Sequence, residues 1–378
     1  LSCGDEEFFM VTDWIKVARR TVQAMQPYQA GKPLEEAQRE LGLTSLVKLA
    51  SNENPHGPSA RVLNAMTESF SDCNRYPDAN GFYLKSALAS KFAVDVEAIT
   101  LGNGSNDILE LVASAFLDHN SSAVYSQYAF VVYALAVARS GAAALVAPAT
   151  NYGHDLDAML ALVQPNTKVV YLANPNNPTG TYFSHNSLAV FLRALRSDIV
   201  VVLDEAYYEY AHAADYPDGQ LLQRSHPNLI LTRTFSKAYG LSGLRVGYSL
   251  SHPVIADVLN RVRQPFNVTS PSLLGAQVAL DDDQHLQQGL DTNRAGMEQI
   301  TTGLDTLGLE AIPSAANFVT FAPGIDAARV NQALLERGVI LRPLANYQMP
   351  KHLRVSIGLE HENQKFLNEL PAVLSALK

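Results

Sequence analysis

The 378-residue chain carries 28 Lys+Arg against 37 Asp+Glu, a net charge of −9, which argues against the basic face that nucleic-acid binding requires. Apolar residues make up 47% and charged residues 17%, and at this length one large domain with a smaller companion is expected. Two cysteines, Cys3 and Cys73, exclude a disulfide framework or a four-thiolate zinc site and fit a reducing, cytoplasmic compartment, while no apolar run reaches the ~18 residues of a membrane span.

Residues 1–9 precede Met10 and show no basic start with an apolar middle, so secretion is not expected. The segment to about residue 50 reads as an N-terminal arm that joins the C-terminal part of the chain. From about residue 100, short β-branched runs alternate with helical stripes. Gly102-Asn103-Gly104-Ser105-Asn106-Asp107 begins like the dinucleotide-binding G-x-G-x-x-G but ends in Asp, where close helix packing wants Gly or Ala. It leads into a helix over 107–117 with Ile108, Leu111, Val112, Ala115 and Phe116 on one stripe. First-turn N–H groups there suit an anion; the plainer reading is a helix capped by Ser105 or Asn106. Further helices are expected over 155–163 and 187–195. Strands buried on both faces are expected over 169–173, 199–203 and 229–231. This alternation predicts an α/β fold, a three-layer α/β/α large domain on a mostly parallel sheet.

Three strand ends carry chemistry. Ala173-Asn174-Pro175-Asn176-Asn177-Pro178-Thr179-Gly180 holds more Asn than a tight turn needs. Asp204 closes the 199–203 run, where open α/β sheets bind ligands, though it could simply cap a helix. Thr234, Ser236, Lys237 and Arg245 follow the third strand, among small and apolar neighbours that can depress a lysine pKa. The stretch 264–271 breaks the rhythm, which sets expected boundaries of 1–50 for the arm and part of the small domain, 51–270 for the large domain and 271–378 for a smaller α/β domain. Asp281-Asp282-Asp283 reads as a solvated turn or helix start. Beyond it come a strand over 318–321, a helix over 327–337 and strands near Ile340 and Val355. No P-loop, H-E-x-x-H or G-x-S-x-G is present, and no metal is expected.

The ordered set, joined by Gln26-Pro27-Tyr28-Gln29-Ala30-Gly31-Lys32-Pro33, Leu49-Ala50-Ser51-Asn52-Glu53-Asn54-Pro55 and Arg75-Tyr76-Pro77-Asp78, resembles the fold-type I, pyridoxal-phosphate-dependent aminotransferases. Within them it looks like the branch acting on histidinol phosphate. The resemblance runs from Pro27 to Gly358 and implies pyridoxal 5'-phosphate as cofactor and an aspartate aminotransferase-like fold. It also implies Lys237 as the Schiff-base lysine and proton carrier, and Asp204 as the acid beside the pyridine nitrogen. Asn177 and Tyr207 match donors to the phenolate oxygen, with Tyr207 also counted as catalytic. Tyr128 matches the ring-stacking aromatic, against the alternative of core packing. Gly104, Ser105, Asn106, Thr234, Ser236 and Arg245 match the phosphate cup, and Asn106 stands where many relatives carry Asp. Arg354 matches the substrate-anion arginine; Arg342, Tyr28 and Asn52 join the substrate set, with a surface charge as the plain alternative for Arg342. Tyr76 matches a tyrosine reaching the neighbouring subunit's cofactor phosphate, implying a homodimer with shared sites.

The implied reaction is transamination between histidinol phosphate and 2-oxoglutarate, giving imidazole acetol phosphate and glutamate and run in reverse in histidine biosynthesis. Rivals on the same scaffold are an aromatic (Phe/Tyr) aminotransferase and a phosphothreonine-type decarboxylase. A cofactor-sensing transcription regulator would need a DNA-binding domain and a basic face. The expected partners are a small-molecule amino donor and an oxo acceptor, with no nucleic acid and no membrane.

Overall fold

In the computed structural model, residues 13–25, 38–39, 42 and 46–377 are described. Tyr28 lies outside them. Strand β1 (Val47–Lys48) is followed by β2 (Ile99–Gly102), β3 (Ser122–Ser126), β4 (Ala143–Ala147) and the small hairpin β5 (Ala149–Thr150) and β6 (Gly153–His154). Then come β7 (Thr167–Ala173), β8 (Val200–Asp204), β9 (Leu229–Thr234) and β10 (Gly247–Leu250). The C-terminal part adds β11 (Glu310–Ile312), β12 (Phe318–Ala322), β13 (Val339–Ile340), β14 (Arg342–Pro343) and β15 (Leu353–Ser356).

A seven-stranded sheet in the order β2-β10-β9-β8-β7-β3-β4 forms the centre. Its strands run parallel except β10, which is antiparallel to both neighbours. Strands β7, β8 and β9 are the three β-branched runs expected as doubly covered strands, and nearly every residue in them is buried. Because β2, β7, β8 and β9 run the same way, Gly102, Ala173, Asp204 and Thr234 all end at one edge of the sheet, where such folds bind ligands. Gly247, the first residue of β10, pairs with both Gly102 and Thr234 at that edge.

The helix after β2 spans Ser105–Phe116 and begins earlier than its apolar stripe suggests. Neither Ser105 nor Asn106 is the cap: Gly104 holds that position at φ 82° and offers no side chain. Asp107 does part of the work by accepting the Asn103 N–H at 2.9 Å, so the cap comes from inside the first turn. Asp282, in the acidic run, caps the helix Asp283–Thr306 by accepting the His285 N–H.

A second sheet, antiparallel in the order β11-β12-β15-β14, packs against the helices Asp283–Thr306, Ala327–Glu336 and Glu360–Leu377. Its core includes Ile300, Leu304, Phe321, Phe366 and Leu370, together with Val47 and Leu49 from the N-terminal side. Strand β1 pairs in parallel with β13. The helix Ser270–Leu280 packs on Ala60–Ser69 and Phe82–Phe92 and gives Ala276, Ala279 and Leu280 to the core of the large sheet. Gly275 fits there because a Cβ would lie 2.8 Å from Leu244 Cδ1. The chain therefore changes cores inside the helix Asp283–Thr306, whose Leu286 meets the first core and whose Leu304 lies in the second.

Candidate active site

Four strand ends of the large sheet and two strands of the small sheet converge on one cluster. Asp204 closes β8 and is only 5% exposed. Its Oδ2 accepts the Tyr133 hydroxyl at 2.8 Å and its Oδ1 the Thr232 hydroxyl at 3.2 Å. Burial raises its pKa to about 6, against the pull of these two donors, which favour the charged form. It caps no helix, and its carboxylate is held inside the protein.

Lys237 lies three residues past β9. Its Nζ donates to the Ser51 carbonyl at 3.1 Å and sits 5.8 Å from the Tyr207 ring centroid. Burial, with Arg354, Arg245 and Lys48 nearby and only Glu53 opposing them, lowers its pKa to about 8. On the order of a tenth of the amine is thus uncharged at pH 7, far more than for an ordinary lysine, which favours action as a base or nucleophile.

Arg354 sits on β15 and is 5% exposed. Its Nη2 donates to the Ala50 carbonyl at 2.8 Å, its Nη1 donates to Asn177 Oδ1, and its guanidinium lies 5.1 Å from the Phe318 ring centroid. Asn177 belongs to the Asn-rich turn after β7, which contains cis peptide bonds before Pro175 and Pro178. With its amide oxygen facing Arg354, its Nδ2 points away from that contact. Arg342 pairs directly with Arg354 across the antiparallel β14–β15 ladder, which puts both arginines on one sheet face.

Asn52 adopts a left-handed backbone, φ 56°. Its Nδ2 donates to the Tyr207 hydroxyl at 2.9 Å and its Oδ1 accepts the Ser356 hydroxyl at 3.0 Å. The Asn52 N–H donates to Ser356 Oγ, and its carbonyl accepts from Asn317 Nδ2. Tyr207, receiving a hydrogen bond from Asn52, keeps its own proton to donate; burial raises its pKa to about 12.

A cationic, hydroxyl-rich cup lies at the start of the helix Ser105–Phe116. Arg245, itself left-handed at φ 51°, donates from Nη1 to Ser236 Oγ at 3.0 Å and to the Ser242 carbonyl at 2.9 Å. Thr234 Oγ1 accepts the Ser236 N–H at 3.1 Å. Gly104 is required by both conformation and space: a Cβ would fall 2.4 Å from Arg245 Nη2. Gly247 is equally confined, because its Cβ would meet the Ser105 nitrogen at 2.4 Å. Hydroxyls, a guanidinium and helix first-turn N–H groups are the donor set of a phosphate. The phosphate cup, the buried Asp204 carboxylate and the Lys237 amine lie at or just past the same edge of the large sheet, and their chemistry fits a phosphorylated heteroaromatic aldehyde. Among the described residues no group of His, Cys, Asp and Glu is arranged to hold a metal.

The observed contacts of Tyr128 and Tyr76 are with other residues. Tyr128 is half-buried against Tyr152, ring centroids 5.9 Å apart, and its carbonyl accepts from Asn176 Nδ2. Tyr76 is 82% exposed and stacks on Phe266 at 4.7 Å, so it stands on the surface of the chain. Sequence reasoning missed Tyr133, Thr232, Ser356 and Asn317. A lone tyrosine among the aliphatic residues 131–138 and the Thr232/Thr234 alternation were the available signals; Ser356 and Asn317 gave none.

The family model described as aminotransferase class I and II matches residues 44–370. The chain is 54% identical to histidinol-phosphate aminotransferase 2 of Pseudomonas fluorescens over 368 residues, covering 97% of this chain and 100% of that one. It is 52% identical to the Pseudomonas aeruginosa protein of the same name, with 97% and 100% coverage. Among solved structures, the histidinol-phosphate aminotransferase of Sinorhizobium meliloti in complex with pyridoxal-5'-phosphate superposes with a TM-score of 0.86, at 28% identity and covering 95% and 98% of the two chains.

Proposed function

The chain belongs to the class I and II aminotransferases, and on that premise we propose that it transfers the amino group between histidinol phosphate and 2-oxoglutarate, in the cytoplasm and as a homodimer. The single observation that carries this reading is a pair of adjacent carbonyls: Ser51 O holds the Lys237 amine and Ala50 O holds the Arg354 guanidinium. An amine base and an anion-binding fork are thus fixed side by side, as a substrate with an anionic group near its reacting carbon needs.

Pyridoxal 5'-phosphate, when bound, supplies the electron sink that stabilises negative charge at the substrate Cα. Gly104, Ser105, Asn106, Thr234, Ser236 and Arg245 would hold its phosphate, Asp204 its protonated ring nitrogen, Asn177 and Tyr207 its phenolate oxygen, and Tyr128 a ring face. Lys237 Nζ, its pKa lowered to about 8, would take the Cα proton of the amino donor and, in the second half of the cycle, deliver a proton to the carbon of the oxo acceptor that becomes the new Cα. Arg354 accepts either the carboxylate of glutamate or the phosphate of histidinol phosphate, because its fork of donors suits both. Arg342, on the same sheet face, gives the bulkier phosphate a second cation, and Tyr28 and Asn52 complete the substrate set. Tyr76 reaches the partner subunit's site across the dimer.

The test is steady-state kcat/KM for histidinol phosphate against phenylalanine and tyrosine, with 2-oxoglutarate as acceptor. Histidinol phosphate should lead, and Lys237→Ala should leave no turnover. A preference for the phosphate-free aromatic donors overturns the substrate, and a Lys237→Ala variant with full activity overturns the site.

A further inference from the structure

The Asp204 carboxylate is gripped from a direction that the cofactor assignment does not explain. Tyr133, on the helix Val131–Ser140, is fully buried and donates to Asp204 Oδ2 at 2.8 Å. Its ring stacks on Tyr171 of β7 with centroids 4.9 Å apart and planes 9° apart, while the Tyr171 hydroxyl is spent on the Leu109 carbonyl. The Tyr133 ring is also met edge-on by Phe130 at 6.0 Å. Tyr133 therefore has one pose and one acceptor.

We propose that Tyr133 is a positioning residue for Asp204: its stacked, immobile hydroxyl fixes the carboxylate plane and favours its ionised form. This rests on the reading of Asp204 as the partner of the cofactor ring nitrogen. A carboxylate has about four acceptor positions. Tyr133 and Thr232 occupy one on each oxygen, and the Ala206 N–H also favours the charged form, which leaves little freedom for the remaining lone pairs to turn. Of the other groups facing Asp204, Glu205 opposes its ionisation. Tyr207 and Tyr216 stand near enough to feel its charge. Burial raises the Asp204 pKa to about 6 even with these donors in place. Losing one moves it further up.

Tyr133→Phe keeps the ring and the stack and removes only the donor. The acid limb of its kcat/KM profile should move up by about one pH unit, with activity recovering at high pH. A second readout uses the protein without cofactor. The folded state holds the Asp204 proton more tightly than the unfolded chain does, so ionising this group weakens the fold as pH rises. The urea-midpoint gap between wild type and Tyr133→Phe should therefore widen from pH 5 to pH 8, and should stop widening in an Asp204→Asn background. Tyr171→Phe, which keeps the stack, should leave both the acid limb and the widening unchanged. If Tyr133→Phe does not fold, 3-fluorotyrosine in place of Tyr133 makes a stronger donor and should move the acid limb downward. A pH-independent gap with an unmoved limb means a purely structural role and overturns the proposal. Full turnover by Asp204→Asn instead overturns the role given to Asp204, while the cofactor-free titration still decides whether Tyr133 controls its ionisation.

Discussion

Lys237 is buried, and Arg354, Arg245 and Lys48 lie around it with Glu53 opposing them, so the folded protein disfavours its ammonium form. An unfolded lysine titrates near 10.5 and this one at about 8. Between those values the unfolded chain binds more protons, and stability rises with pH across the window. Replacing Lys237 with Met should therefore stabilise the cofactor-free protein at pH 7, by about 1–3 kcal/mol, and erase this rise. Urea unfolding of both proteins at pH 7 and pH 10 checks it; parallel pH dependences would contradict the electrostatic picture. Gly104 makes a separate claim. Gly104→Ala adds a Cβ 2.4 Å from Arg245 Nη2 at a position with φ 82°. It should displace the guanidinium and weaken cofactor binding about tenfold or more, the worth of one charge-assisted hydrogen bond, as read by absorbance titration. At this scale the sequence showed chemical type and not contact. Lys237 and Arg245 stood out through their small and hydroxyl-bearing neighbours, whereas Ser356, which braces Asn52 from 304 residues away, looks like any strand serine.

Strand β9 shows how an element divides labour between its faces. Thr232 and Thr234 point toward Asp204 and the phosphate cup, and the alternation sends Arg233 the other way. There its Nε pairs with Glu205 Oε2 at 2.8 Å, with side chains only 5% and 1% exposed, and its guanidinium lies 3.9 Å from the Tyr208 ring centroid. Removing one partner of such a pair strands a buried charge. Arg233→Met should cost about 3–5 kcal/mol, and adding Glu205→Leu should restore most of it; denaturant unfolding of the single and double variants reads this directly. Strands β7, β8 and β9 were legible because a doubly covered strand must be almost wholly apolar. Strand β10 was not: Gly247–Leu250 is four residues long, and its antiparallel direction is set by neighbours rather than by its composition. The start of the helix Ser105–Phe116 was misplaced for a related reason. Its cap is a glycine backed by Asp107, and a rule that looks for a capping side chain passes over it.

At the scale of the whole molecule, the two cores meet at the site and are stitched there by polar contacts. Arg354 of the small sheet reaches Asn177 of the large one, and Asn52 links Tyr207 to Ser356. Among the described residues, several large aromatics are exposed. Phe70, Tyr76, Phe82 and Tyr83 are all more than half exposed and close together in sequence, and Phe266 extends them by stacking on Tyr76. Contiguous exposed aromatic patches mark interaction surfaces, and we propose that role for this group. In the proposed homodimer, a second copy of the chain seated on this face would cover them and bring Tyr76 to the neighbouring cofactor phosphate, which would couple assembly to cofactor affinity. Changing Phe82 and Tyr83 together to Lys should shift the protein from dimer to monomer in sedimentation velocity and weaken cofactor binding at least tenfold. Val254→Lys, at a 64% exposed position on a separate helix, should change neither. A Phe82→Lys/Tyr83→Lys protein that stays dimeric would place the contact on another face. A monomer with undiminished cofactor affinity would show that each site is complete within one chain and remove Tyr76 from the phosphate cup.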